Sequence, residues 1–148
     1  MGQSVHRMIT SVTTRSPEET AAFAESMATA LRPPATLALY GELGSGKTCF
    51  VKGLVHGLGS EDLVTSPTFT PVHHYNAPAG RIRHFDLYRI RSAGELDDLE
   101  IGAGQEVVVI EWPELMEKLL PDDAIRIRFE WVPEKAEERK ISVEFAES

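Results

Sequence analysis

The eight residues GELGSGKT, at positions 41–48, constrain the fold of this chain more than any other stretch. Gly41, Gly46, Lys47 and Thr48 match the pattern G-x-x-x-x-G-K-[ST] at all four fixed positions. With average residue frequencies, a random match in a chain of this length has a probability of roughly 0.5%. The apolar run TLALY precedes the loop, and the helix-like run KTCFVKGLVHGLG begins at Lys47. A buried strand that leads through a glycine loop into a helix is typical of α/β proteins.

The loop has the chemistry of a phosphate site. Glycines let backbone N–H groups converge on an anion, and the positive end of the following helix faces the same point. Lys47 can bring a charge to the β- and γ-phosphates, and Thr48 can offer a hydroxyl to Mg²⁺. We therefore expect a bound nucleoside triphosphate, with Lys47 also acting in catalysis. The expected binding residues are those of the whole loop, Gly41, Glu42, Leu43, Gly44, Ser45, Gly46, Lys47 and Thr48.

The order of the predicted elements gives the fold class. Strand, helix, strand, helix, hairpin, helix, strand, helix and hairpin follow one another, which predicts an α/β protein. With the glycine loop, we expect a P-loop NTPase-like three-layer fold with a mixed central sheet flanked by helices. A length of 148 residues without a linker-like stretch predicts one domain, 1–148. The predicted strands are 7–14, 36–40, 70–76, 81–89, 106–112, 124–132 and 139–145, and the predicted helices are 16–31, 47–59, 92–100 and 113–120.

Glu111 ends the second strongly apolar run, VVVIE. The four apolar residues predict a buried strand, and open α/β sheets bind ligands at the carboxyl ends of their strands. A carboxylate there can orient Mg²⁺ directly or through water. We therefore expect Glu111 and Thr48 to hold the metal ion. The alternative is a strand that simply ends in a surface glutamate.

The segment HFDLYR, at positions 84–89, places polar residues at every second position. On a strand, His84, Asp86 and Tyr88 would share one face, whereas Phe85 and Leu87 would point to the core. Asp86 can order water around Mg²⁺ or polarise an attacking water, so we expect it to be catalytic. The alternative is a half-solvated sheet face.

Four other features have weaker patterns. The hydroxyl-rich loop TSPTFT, at 65–70, lies in the sequence between the glycine-loop helix and HFDLYR. A loop in this place could reach the γ-phosphate and change its conformation on hydrolysis. The segment 81–91 contains four arginines, which could face an acidic partner or RNA, or could be a solvated strand edge. Trp112 should point away from Glu111, and Cys49 is interpreted as a small packed side chain.

The composition excludes several classes of protein. A formal net charge of −8 disfavours unaided binding to tRNA or DNA, because such binding needs a basic surface. The single cysteine excludes a disulfide framework and fits a reducing cytoplasm. We expect no signal peptide and no transmembrane helix.

The missing base-recognition motif favours adenine. Guanine-specific GTPases read the base with an N-K-x-D segment, but Asn76 is the only asparagine and lies in YNAPAG. The expected ligands are therefore ATP and Mg²⁺.

The segments GELGSGKT, TSPTFT, HFDLYR and IEW, in this order and at these spacings, resemble the bacterial tRNA threonylcarbamoyladenosine biosynthesis ATPase family, TsaE. The resemblance covers residues 36–132. It implies a small cytoplasmic ATPase that supports formation of N6-threonylcarbamoyladenosine at position 37 of tRNAs reading codons that start with A. It implies a partner pair, one member of which performs the carbamoyl transfer, and contact with tRNA only through that complex.

The resemblance also implies roles for single residues. Thr48 and Glu111 would bind Mg²⁺, Asp86 would be needed for hydrolysis, and an arginine involved in nucleotide binding would fall on Arg139. Two alternatives stay open, a small-molecule kinase and a nucleotide-sensing module without significant turnover.

Overall fold

The computed structural model describes residues 7–42, 45–64, 72–78, 80–87 and 106–146. Within these ranges, seven strands form one mixed sheet in the order β1-β7-β6-β2-β5-β4-β3. None of the helices in these ranges has the length and apolar character needed to span a bilayer. The elements are β1 Arg7–Thr14, α1 Pro17–Ala28, β2 Ala35–Tyr40, α2 Lys47–Gly57, β3 Val72–Ala77, β4 Gly80–Asp86, β5 Val107–Glu111, a 3-10 helix Pro113–Leu119, β6 Ile125–Val132 and β7 Lys135–Ala146.

The centre of the sheet is parallel and its margins are antiparallel. Strand β2 lies between β5 and β6 and runs parallel to both, and β4 runs parallel to β5. Strands β3, β7 and β1 add antiparallel pairs at the two sides. Because parallel strands end at the same edge, the carboxyl ends of β2, β4 and β5 meet where the glycine loop begins.

Helices α1 and α2 pack together over one face of the sheet. A Cβ atom at Gly53 of α2 would lie 2.0 Å from the carbonyl oxygen of Ala21 in α1, so only glycine permits this approach. Leu37 and Leu39 of β2 and Phe50 of α2 are fully buried between the helices and the sheet. This core fixes the start of α2 against the ends of the central strands.

A second core lies on the opposite face of the sheet. Ala38, Phe85, Val108 and Ile110 come from three neighbouring strands and pack with Leu120 and other residues that follow the 3-10 helix. Burial of every residue of β5 confirms the prediction that VVVIE is a buried strand. The α/β fold class with a mixed sheet flanked by helices is also confirmed.

The start of α1 is fixed by a capping residue and a proline. Ser16 is the N-cap, and its hydroxyl accepts a hydrogen bond of 3.1 Å from the backbone N–H of Glu19. Pro17 occupies the first turn, where a missing N–H costs nothing. The helix ends at Ala28, earlier than the predicted limit of 31.

Three predictions need correction. The predicted helix 113–120 is a 3-10 helix, Pro113–Leu119. The charged run 133–138, between the last two predicted strands, is predicted to be a turn, but the observed turn is shorter because β7 already begins at Lys135. Arg83 is not on a solvated strand edge, since it is buried and its Nε atom lies 3.3 Å from a carboxylate oxygen of Glu106.

Several predictions lie outside the described residues. They are the helix at 92–100, the loop at 65–70, and the residues Leu43, Gly44, Tyr88, Arg89 and Arg91.

Candidate functional site

The glycine loop joins the carboxyl end of β2 to the first turn of α2. Gly46 is the N-cap of α2 and has a φ of 105°, a left-handed conformation that side chains disfavour. Gly46 has no side chain that could cap the helix, and among the described residues no side-chain cap is seen, so the first N–H groups of α2 keep their capacity to bind an anion. Gly41 has little room for a side chain, since a Cβ atom there would lie 2.6 Å from Oγ of Ser45 and 3.2 Å from the carbonyl oxygen of Phe129.

Lys47 points back across the loop rather than into bulk solvent. Its Nζ atom donates a hydrogen bond of 2.6 Å to the carbonyl oxygen of Gly41 and lies 3.7 Å from the ring centroid of Trp112. The side chain is buried. Burial lowers the pKa of Lys47, and the negative charges of Glu111 and Asp86 partly oppose that effect. The contacts of Nζ with Gly41 and Trp112 hold the Lys47 amine at the start of α2.

Glu111 and Asp86 lie side by side at the ends of β5 and β4. The two residues are paired in the parallel register. Glu111 is buried, and its Oε2 atom lies 2.5 Å from Nε2 of His84. The predicted alternation is confirmed at Phe85 and Leu87, which are buried in the opposite core. His84 is only 1% exposed, so the interpretation of this face as half-solvated is wrong at that position.

Arg139 reaches the loop from β7. Its Nε atom donates a hydrogen bond of 3.1 Å to the carbonyl oxygen of Ser45. Its guanidinium carbon lies 3.9 Å from the ring centroid of Trp131, the residue paired with it on β6. A planar cation stacked on an indole keeps a fixed orientation. The arginine predicted from the resemblance therefore lies against the glycine loop.

One cavity of about 360 Å³ opens beside the start of α2. Its size falls within the range of ligand-binding pockets, about 300–1,000 Å³. Five of the predicted residues line it, namely Gly46, Lys47, Thr48, Glu111 and Arg139. Gly41 and Asp86 lie next to lining residues, and Glu42 and Ser45 belong to the adjoining loop.

Sequence reasoning missed part of this cavity wall. Pro17 and Thr20 of α1 and Glu137 of β7 also line it. Cys49 lines it as well and is half-buried, so the interpretation of this residue as a packed side chain was incomplete. No motif marks Pro17, Thr20 and Glu137, because they reach the cavity only through the packing of α1 and β7 beside the loop.

The oxygen atoms available at the cavity suit a hard cation. Thr48 offers a hydroxyl and Glu111 a carboxylate. In the described part of the chain, no group of three or more His, Cys, Asp or Glu side chains could hold a metal ion alone. Magnesium usually binds through one or two protein oxygens together with phosphates and water. The residues present therefore fit Mg²⁺ that arrives with a nucleotide.

Comparison with known proteins identifies relatives over most of the chain. The family model described as Threonylcarbamoyl adenosine biosynthesis protein TsaE matches residues 14–141. The tRNA threonylcarbamoyladenosine biosynthesis protein TsaE of Bacillus subtilis (strain 168) is 42% identical over 117 residues, which are 77% of this chain and 73% of that protein. The protein of the same name from Treponema pallidum (strain Nichols) is 39% identical over 118 residues, 76% of this chain and 85% of that protein.

A solved structure resembles the whole chain. The crystal structure of Bacillus subtilus YdiB superposes with a TM-score of 0.76 and 32% sequence identity. The match covers 99% of this chain and 90% of that one. The overall fold described above is therefore one that a crystal structure of similar sequence shares.

Proposed function

The chain belongs to the TsaE family, and from this premise we propose that it acts in the biosynthesis of threonylcarbamoyladenosine in tRNA as a magnesium-dependent ATPase subunit. The modified base is N6-threonylcarbamoyladenosine at position 37 of tRNAs that read codons starting with A. The observation that carries the proposal is the single cavity in which Lys47, Thr48, Glu111 and Arg139 meet.

The proposed ligand of the cavity is ATP. The N–H groups at the start of α2 and the Lys47 ammonium suit the β- and γ-phosphates. Arg139 adds a second cation, held by Ser45 and Trp131. The cavity continues toward Pro17, Thr20 and Glu137, which leaves room beside the phosphate loop for the rest of the nucleotide. Adenine is preferred over guanine because the chain has no N-K-x-D segment.

Thr48 and Glu111 would hold Mg²⁺ together with the phosphates. The bound ion would neutralise negative charge on the phosphates. Glu111 sits at the strand end, where its carboxylate reaches the same cavity wall as Thr48. Two protein oxygens are enough for an ion that keeps several other ligands.

Asp86 is the proposed catalytic carboxylate. It lies beside Glu111 in the sheet register and acts electrostatically on Lys47. A carboxylate in this place can accept a hydrogen bond from the attacking water and so orient it. Lys47 would stabilise charge on the phosphate oxygens during transfer.

The negative net charge of the chain fits a subunit that contacts protein partners better than a protein that binds tRNA directly. Its net charge of −8 disfavours direct contact with a phosphate backbone. We propose that it works in the cytoplasm with the pair of proteins that transfers the threonylcarbamoyl group, and that it meets tRNA only through them.

Hydrolysis by the wild type and by Asp86→Asn and Glu111→Gln tests the proposal. Both substitutions keep the size of the side chain but remove its charge. We expect each to lower the rate of Mg²⁺-dependent phosphate release by about 100-fold or more, with an unchanged circular dichroism spectrum. The rates are measured without a phosphate acceptor, alone and with the transferase pair.

The same assay separates the alternatives. A small-molecule kinase would release little phosphate without its acceptor, and a sensing module would release little under any condition. Wild-type rates in both variants would contradict the roles given to Asp86 and Glu111.

A further inference from the structure

His84 is a buried histidine that none of the roles above uses. It lies on β4, between Ile82 and Asp86 on the face of the sheet that α2 covers, and it is only 1% exposed. Its Nε2 atom is 2.5 Å from Oε2 of Glu111 on the neighbouring strand. Its Nδ1 atom is 3.4 Å from the hydroxyl of Tyr75 on β3. The ring therefore connects the edge of the sheet with the carboxylate at the cavity.

The chemistry of the three groups sets the direction of the hydrogen bond to Glu111. An ionised carboxylate only accepts, so the short contact requires a proton on Nε2 of His84. Burial and the negative charges of Glu111 and Asp62 raise the pKa of Tyr75 to about 12. The Tyr75 hydroxyl consequently keeps its proton at neutral pH and can donate to Nδ1 when the ring carries its proton on Nε2.

We propose that His84 is a positioning residue, whose Nε2–H group fixes the Glu111 carboxylate in the orientation needed to bind the divalent cation that accompanies the nucleotide. The proposal rests on the proposed function, because it concerns the metal role given to Glu111. It gives a role to His84, which belongs neither to the loop motif nor to the pair formed by Asp86 and Glu111.

The burial of Glu111 explains why it needs such a partner. A carboxylate removed from water loses solvation, and a hydrogen bond to a fixed donor restores part of the loss. Glutamate also has three rotatable side-chain bonds, whereas the histidine ring is packed and rigid. The bond to His84 uses Oε2, while the Glu111 side chain also forms part of the cavity wall with Lys47 and Thr48. Donors that hold a ligating carboxylate in this way commonly contribute about 10- to 100-fold to metal affinity.

Two amide substitutions that differ by one methylene group provide a matched test. In His84→Gln, the side-chain amide can reach the place of Nε2 and still donate to Glu111. In His84→Asn, the amide reaches only the place of Nδ1 and loses that bond. We measure the Mg²⁺ concentration at half-maximal binding of a fluorescent ATP analogue, and the affinity for the same analogue in EDTA. Thermal unfolding of both variants shows whether the fold is kept.

We expect His84→Asn to raise the Mg²⁺ midpoint by about 10- to 100-fold, with little change in EDTA. His84→Gln should stay near the wild-type midpoint. In a Glu111→Gln background, His84→Asn should have no further effect, because the carboxylate to be oriented is gone. Equal midpoints for the two amides would overturn the proposal, even if both variants were less stable than the wild type.

The outcomes also separate this proposal from the proposed function. If Glu111→Gln raises the Mg²⁺ midpoint but His84→Asn does not, the metal role of Glu111 stands and the positioning role of His84 fails. If the wild type binds the analogue equally well with and without Mg²⁺, the metal role itself fails, and His84 has no cation to position.

Discussion

Lys47 is a buried amine that is held in place by contacts on two sides. Its ammonium group has three N–H donors, and it contacts both the Gly41 carbonyl and the face of Trp112. These contacts hold the charge at the first turn of a helix whose N–H groups already favour an anion. The cation and the helix start therefore act on the same small volume of the cavity.

We predict that Lys47→Ala weakens binding of a triphosphate analogue by about 10- to 150-fold, which corresponds to loss of a charged hydrogen bond worth about 1.5–3 kcal/mol. Titration of a fluorescent ATP analogue measures the effect. Lys52→Ala in the same helix, at an exposed position, is the matched control. An unchanged affinity in Lys47→Ala would contradict the phosphate role.

A second prediction concerns the hydroxyl of Thr48. Thr48→Ala should raise the Mg²⁺ concentration needed for half-maximal nucleotide binding by about tenfold or more, because one oxygen ligand is lost. Thr48→Ser keeps the hydroxyl and should behave like the wild type. The comparison is made with and without EDTA, since an effect that persists without metal would point to the phosphates instead. If Thr48→Ala binds and hydrolyses Mg-ATP normally, Thr48 is not a metal ligand.

At the scale of residues, the sequence predicts single positions better than contacts. Gly41 and Gly46 could be predicted from the loop motif, and both have a positive φ in the structure, a conformation that favours glycine. The bond between His84 and Glu111 and the contact between Lys47 and Trp112 join residues that are distant in sequence. Alternation of polar and apolar residues along a strand indicates the face of the sheet on which each side chain lies. Which residue lies beside it on the next strand depends on the order of the strands in the sheet.

At the scale of elements, the β6–β7 hairpin explains how Arg139 reaches the cavity. Trp131 pairs with Arg139, but Val132 pairs with Lys135, so the register shifts between the two. The additional residues on β7 form a bulge, and Arg139 donates to the carbonyl oxygens of Ala136 and Glu138 there. Glu134 takes the left-handed conformation in the turn. The charged run 133–138 lacks alternation, which is why it was predicted to be a turn.

The 3-10 helix is tied to the sheet by a polar network. Glu117 accepts a hydrogen bond from the Tyr40 hydroxyl and another of 3.1 Å from Nε of Arg126. Partial burial raises the pKa of Glu117, but the hydrogen bonds and the charge of Arg126 outweigh that effect and lower it overall. Glu117 therefore stabilises the fold most when it is ionised. Its contribution is complete above its ordinary pKa and is lost as the pH falls through the lowered value.

We predict that Glu117→Gln lowers the free energy of unfolding at pH 7 by about 0.5–1 kcal/mol, a small value because Glu117 is partly exposed. The difference from wild type should shrink below a pH of about 4, as Glu117 becomes protonated in the wild type too. Denaturant unfolding at several pH values measures it. Glu114→Gln, an exposed position in the same helix, serves as the control. A difference that does not depend on pH would show that charge on Glu117 is unimportant.

At the scale of the whole molecule, the sheet determines where the site lies. Parallel pairing of β2 with β5 and of β5 with β4 brings Gly41, Glu111 and Asp86 to one edge, although 70 positions separate the first two. The order of the elements along the chain was predicted from periodicity and turn residues. The order of the strands in the sheet was not, because pairing depends on tertiary packing that no local pattern specifies.

The last prediction concerns the pathway. If this chain supplies ATP hydrolysis to a tRNA-modifying complex, depletion of the protein should remove most of the N6-threonylcarbamoyladenosine from cellular tRNA. Wild-type protein should restore the modified nucleoside, whereas Lys47→Ala should not, because the substitution weakens phosphate binding at a buried position and leaves the exposed side chains unchanged. Mass spectrometry of digested tRNA measures this nucleoside, and an unrelated modified nucleoside in the same digest controls for recovery. An unchanged level after depletion would contradict the pathway even if the purified protein hydrolysed ATP, and full rescue by Lys47→Ala would show that the pathway needs the protein but not its phosphate site.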